Sequence, residues 1–127
     1  QVKLVRCIKG SVLDVAIDLR NNSKTFGHYF KILLSEENKK QFLIPRGFGH
    51  AFISLEDGTE FLYKASDYYY PDCEGGIIYN DKIININFNF QKLEINAVTL
   101  SNKDKCLPTL RNWLKKRENR GLWWKYL

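Results

Sequence analysis

Short apolar runs recur about every ten residues along this chain, with turn signals between them. The clearest is Leu13, Val15, Ile17 and Leu19 alternating with Asp14, Ala16 and Asp18. Side chains of a strand point to alternate faces, so this period of two predicts a half-buried strand with one polar face. Further strands are expected over Lys3–Ile8, His28–Leu34, Gln41–Ile44, His50–Leu55 and Glu60–Ala65. Two more are expected over Gly76–Tyr79 and Ile83–Phe90. Lys9-Gly10, Asn21-Asn22-Ser23, Ser35-Glu36-Glu37-Asn38, Arg46-Gly47-Phe48-Gly49 and Glu56-Asp57-Gly58 turn the chain between them. Many short strands at even spacing point to an antiparallel sandwich, barrel or jelly roll.

Composition agrees. Aromatics make up 14% of the 127 residues, and Met is absent, which favours strands over helices. Only the end looks helical, where Leu110, Trp113 and Leu114 sit three and four residues apart among basic residues. This helix is expected to dock its apolar side on the barrel or on a partner subunit. Five of the six net positive charges fall between Arg111 and Leu127, so the basic character belongs to a tail and not to a nucleic-acid-binding face. No apolar run reaches transmembrane length. The chain opens Gln1-Val2-Lys3-Leu4, without a signal-peptide core or initiator Met, so a cytoplasmic setting is expected, with residues missing upstream. Cys7, Cys73 and Cys106 are widely spaced and form no C-x-x-C, which argues for three reduced thiols. No close His pair exists to hold a metal, since His28 and His50 are the two histidines.

Several side chains have the chemistry of a site. His50 stands at the mouth of a predicted strand, either as a hydrogen-bonded structural residue or as a catalytic one. Phe61, Tyr63 and Ala65 share a face of their strand. Tyr63 then points inward among apolar neighbours, as a core tyrosine with a satisfied hydroxyl or as a proton donor lining a cavity. Tyr68-Tyr69-Tyr70 on a loop suits stacking on a nucleobase. Ser101-Asn102-Lys103-Asp104 reads as a solvated turn carrying a charge pair.

In order along the chain, these pieces resemble the dTDP-4-dehydrorhamnose 3,5-epimerase family. The matching stretches begin with Lys3-Leu4-Val5-Arg6-Cys7, Asp14 to Arg20, Thr25-Phe26-Gly27, Leu34-Ser35 and Glu37-Asn38-Lys39. They continue with Ile44-Pro45-Arg46-Gly47-Phe48, His50, Glu60 to Ala65, Asp67-Tyr68-Tyr69, Pro71, Glu74-Gly75, Leu100-Ser101, Lys103-Asp104 and Pro108.

The resemblance implies an all-β double-stranded β-helix, a cupin-like jelly-roll barrel, over residues 1–110; beyond it the resemblance fades, and 111–127 reads as a basic, Trp-containing helix or tail. It implies a homodimer without metal or cofactor, acting on a dTDP-4-keto-6-deoxy sugar and binding neither nucleic acid nor membrane. By motif, Tyr63 is the proton donor, Lys3 stabilises the enolate oxygen, and Asp104 orients the basic histidine. His50, Glu74 and Lys103 contact substrate, and Tyr69 stacks on the thymine. The family's base is a histidine in a His-aromatic-Gln motif upstream of the Lys-Leu-Val strand. These 127 residues lack that motif, and neither His28 nor His50 falls at its position. Three readings follow: an isomerase of deoxysugar biosynthesis, a catalytically silent sugar-nucleotide-binding homologue or partner subunit, and a basic-tail interaction module.

Overall fold

The computed structural model describes residues 1–68 and 75–120, with side chains through Lys116. They form two compact units, one within each of these ranges.

The first unit consists of six strands: β1 (Lys3–Lys9), β2 (Ser11–Asp18), β3 (Tyr29–Ser35), β4 (Gln41–Ile44), β5 (Phe48–Ser54) and β6 (Glu60–Ala65). They build two antiparallel sheets, ordered β4-β1-β6 and β3-β2-β5. Apart from the β2–β3 connection, every link along the chain carries it from one sheet to the other. The first such crossing is at Gly10, whose φ of 76° is open to a residue without a Cβ. The sheets share one core of Val5, Cys7, Val12, Ala16, Leu34 and Ile44, with Ile32, Phe42, Phe48 and Phe61 packed against it.

The strand positions match the apolar periodicity, but the environment of β2 does not. A half-buried strand with a polar face is expected there, whereas every residue from Val12 to Leu19 is buried. β2 is the central strand of its sheet, and its second face looks into the space between the sheets rather than into water. Asp14 and Asp18 are 0% and 1% exposed and find internal partners instead of solvent. The expected turn Arg46–Gly49 is shorter than its composition suggests. Gly47 makes the bend at φ 86°, and Phe48 already begins β5.

The second unit holds α1 (Asn102–Lys105) and α2 (Leu110–Arg120). The strands expected over Gly76–Tyr79 and Ile83–Phe90 do not form. Asp81 captures the backbone N–H groups of Ile83 and Ile84 with one carboxylate oxygen, closing a turn. Asn85 and Asn89 then take left-handed φ values of 51° and 56°, which no strand accommodates. Alternating apolar residues without pairing partners therefore remain irregular. The helix expected at the end of the chain does form, with Leu110 and Trp113 buried. Among the described residues no helix is long and apolar enough to cross a membrane.

Candidate active site

Register decides which side chains meet. On the β4-β1-β6 sheet, Lys3 lies opposite Ile44 and Ala65, and Val5 lies opposite Phe42 and Tyr63. Val5 and Ile44 are core residues, so this is the inward face, and Lys3, Phe61 and Tyr63 project from it. On the β3-β2-β5 sheet, Val12 and Ala16 mark the inward face, which also carries Asp14, His50 and Phe52. The two faces meet through aromatic rings: Phe52 and Phe61 are 4.6 Å apart between centroids, and His50 lies 5.9 Å from Phe52 and 6.3 Å from Phe61.

Tyr63 takes the inward face that its strand period predicts, but not the depth. It is 62% exposed rather than buried, because β6 is an edge strand. Its hydroxyl is accessible to a ligand, as a proton donor requires. Lys3 is half-buried, two residues from the core residue Val5, which places an ammonium group on the same face as Tyr63.

His50 has a partner that sequence reasoning missed. Its Nε2 lies 2.7 Å from Oδ2 of Asp14, and its side chain is only 11% exposed. Among the described residues, Asp14 Oδ1 is buried with no hydrogen-bond partner. A signal was available: Asp14 is an acid flanked at the alternate positions of its strand by the apolar residues Val12 and Ala16. A polar face open to water more often carries Lys, Thr or Ser.

A second buried carboxylate frames the opposite end of β2. Asp18 accepts a bidentate pair from Arg20 Nε and Nη2, both at 2.9 Å, together with the hydroxyls of Ser23 and Thr25. The Arg20 guanidinium holds the Asp18 carboxyl well below the usual range. Burial opposes this, and the two hydroxyls and the Arg20 backbone N–H reinforce it. Arg20 also lies over the Phe48 ring, 5.0 Å from its centroid. This cluster fastens the loop between β2 and β3 and leaves no group for chemistry.

The remaining expected residues lie elsewhere. Lys103 and Asp104 belong to the second unit and are exposed there, on a one-turn helix rather than in a loop. Ser101 caps that helix by accepting the Asp104 backbone N–H at 3.1 Å. Tyr69, Glu74 and Cys73 lie outside the described residues. Cys7 and Cys106 are free thiols, buried and exposed respectively.

Comparison with known proteins gives this arrangement a lineage. The family profile described as dTDP-4-dehydrorhamnose 3,5-epimerase matches residues 1–112. The enzyme of that name from Salmonella typhimurium is 49% identical over 110 residues, 87% of this chain and 58% of its own length. A crystal structure of the Elizabethkingia anophelis dTDP-4-dehydrorhamnose 3,5-epimerase superimposes with a TM-score of 0.81 at 41% identity, covering 88% of this chain and 60% of that one. The Legionella pneumophila dTDP-6-deoxy-D-glucose-3,5-epimerase, solved with dTDP-4-keto-L-rhamnose, superimposes with a TM-score of 0.80 at 42% identity. That match covers 87% of this chain and 56% of the Legionella chain. This chain thus spans less than two thirds of the relatives it matches. A profile match over nearly the whole chain, near-50% identity to a curated relative and the same two-sheet backbone together make this chain a member of the dTDP-4-dehydrorhamnose 3,5-epimerase family.

Proposed function

We propose that the chain binds a dTDP-4-keto-6-deoxy sugar and carries the proton-donating half of a 3,5-epimerase site on a double-stranded β-helix. The observation that carries this reading is the convergence of Lys3 and Tyr63 on one inward sheet face, with His50 on the facing sheet. Links that alternate between the two sheets support the jelly-roll topology.

The 4-keto group acidifies the protons on C3 and C5. Removing one gives an enolate, whose oxygen the Lys3 ammonium stabilises as a fixed positive charge. Tyr63 returns a proton from its own side of the ring, inverting the centre. Two rounds convert dTDP-4-dehydro-6-deoxy-D-glucose into dTDP-4-dehydro-L-rhamnose. His50, Lys103 and Glu74 contact substrate in this reading, Tyr69 stacks on the base, and Asp104 orients the basic histidine. The reading also includes a homodimer, a catalytic region over residues 1–110 with 111–127 as an appended tail, and a cytoplasmic setting. The free thiols of Cys7 and Cys106 favour a reducing compartment.

His28 is exposed beyond the loop that Asp18 fastens, and His50 engages Asp14. A second reading is a catalytically silent sugar-nucleotide-binding homologue or partner subunit of the same fold. A missing general base typically costs about 10²–10⁴-fold. Incubating the 127-residue chain with the 4-keto sugar nucleotide in deuterated water, followed at C3 and C5 by NMR, tests both readings. The expected result is saturable binding with exchange far below that of a full-length relative. Comparable turnover would sink the silent-homologue reading, and absence of binding would sink the function itself.

A further inference from the structure

Asp14 is the least solvated acid in the described residues, and only one of its two oxygens is met by a partner. It is 0% exposed on the central strand. By register it stands between Ile32 of β3 and Phe52 of β5, in line with Val12 and Ala16. One of its oxygens has a single partner, His50 Nε2 at 2.7 Å, a distance in the range of charge-assisted bonds. The other oxygen has none among the described residues. Leaving a buried acceptor unmet is costly, and an apolar residue of similar size usually serves a core better than a buried ionic group. Such a group is retained for what it does to its partner.

That partner is confined. The His50 ring lies against the Phe52–Phe61 pair, 5.9 and 6.3 Å from the two ring centroids, and Nε2 is committed to the carboxylate. A carboxylate that accepts from Nε2 selects the imidazole form with the proton on Nε2. Nδ1 is then the ring atom left to meet anything that enters between the sheets.

We propose that Asp14 is a positioning residue for His50. Its carboxylate accepts a hydrogen bond from Nε2, holds the imidazole against the Phe52–Phe61 pair and presents Nδ1 to the ligand. The proposal rests on the reading above that His50 contacts the sugar nucleotide. A hydrogen bond to a charged group is typically worth about 10–100-fold.

Two measurements on the full chain decide it. In long-range proton–nitrogen NMR of the ¹⁵N-labelled protein, His50 should show a protonated Nε2 whose proton is shifted downfield and protected from exchange with water. In Asp14→Asn that protection should fall at least tenfold. A proton on Nδ1 with a bare Nε2 in the unaltered chain overturns the proposal, and this reading needs no variant to fold. So does an Nε2 proton no better protected than in Asp14→Asn. In titrations with the 4-keto sugar nucleotide, Asp14→Asn should weaken binding about tenfold in the unaltered background and not at all in His50→Asn. Additive losses would show that Asp14 does not act through His50. If the unaltered chain binds no sugar nucleotide, the functional reading fails, and the imidazole spectrum alone decides the role of Asp14.

Discussion

At the residue scale, two side chains of β2 show how one strand pattern serves different ends. Asp14 and Asp18 occupy the same face, yet Asp18 is fully satisfied and Asp14 is not. Replacing Asp18 by Asn should cost about 2 kcal/mol in urea unfolding at neutral pH. That is below the range for breaking a fully buried pair, because Arg20 is half exposed. The pH dependence has a definite sign. The folded Asp18 carboxyl titrates below its unfolded value, so its stabilisation is complete above that value and is lost as pH falls towards the folded one. The unaltered protein should lose stability from about pH 5 downward, and Asp18→Asn should show a shallower loss. Tyr63, at 62% exposed, makes the opposite prediction. Tyr63→Phe should leave the unfolding free energy within about 0.5 kcal/mol while abolishing any residual inversion at C3 and C5.

At the scale of elements, α2 begins where a distant carboxylate catches it. Asp81 Oδ2 accepts the Leu110 backbone N–H at 2.8 Å, while Oδ1 accepts those of Ile83 and Ile84. Burial pushes the Asp81 carboxyl up, and three backbone donors more than reverse this, so it titrates below the ordinary value. Its contribution is likewise lost in acid. Asp81→Ala strands three amides and should cost about 1–3 kcal/mol, with hydrogen exchange quickening first at Ile83, Ile84 and Leu110. Gly10 is the corresponding hinge of the sheets. A Cβ there would lie 2.5 Å from Thr59 Oγ1 on a backbone already at φ 76°, whereas at Gly58 it would meet nothing within 4 Å. Gly10→Ala should therefore destabilise by more than Gly58→Ala, whose cost is about 1 kcal/mol of left-handed backbone. Equal thermal shifts for the two variants would contradict the close approach.

For the whole molecule, the outward face of the β4-β1-β6 sheet carries Leu43, Leu62 and Ile8, at 59%, 45% and 41% exposed. Leu4 lies directly opposite Leu43 on that face, while Arg6 stands opposite Leu62 and Lys64 opposite Leu4, so exposed apolar and basic side chains share it. Exposed apolar residues rimmed by polar ones are commonly a contact surface. If the homodimer reading holds, light scattering should find a dimer at micromolar concentration, and Leu43→Lys with Leu62→Lys should shift it to monomer. A monomer at all concentrations would remove the dimer from the functional reading.

The strands of the first unit, the helix at the end of the chain and the family are legible in the sequence alone. Period-two alternation, turn residues and ordered motifs are local signals and need no knowledge of neighbours. It also placed Tyr63 on the correct face, because strand geometry sets the face one residue at a time. Only tertiary structure decided how deep each side chain lies. The acids of β2 are buried because that strand is central, and Tyr63 is exposed because β6 is an edge. The apolar run 83–90 formed no strand because Asp81 and two left-handed asparagines took its backbone elsewhere. The Asp14–His50 pair spans 36 residues and exists through the register of β2 with β5. Pairing between strands is a non-local choice, and one residue of slip would have turned that histidine to the other face.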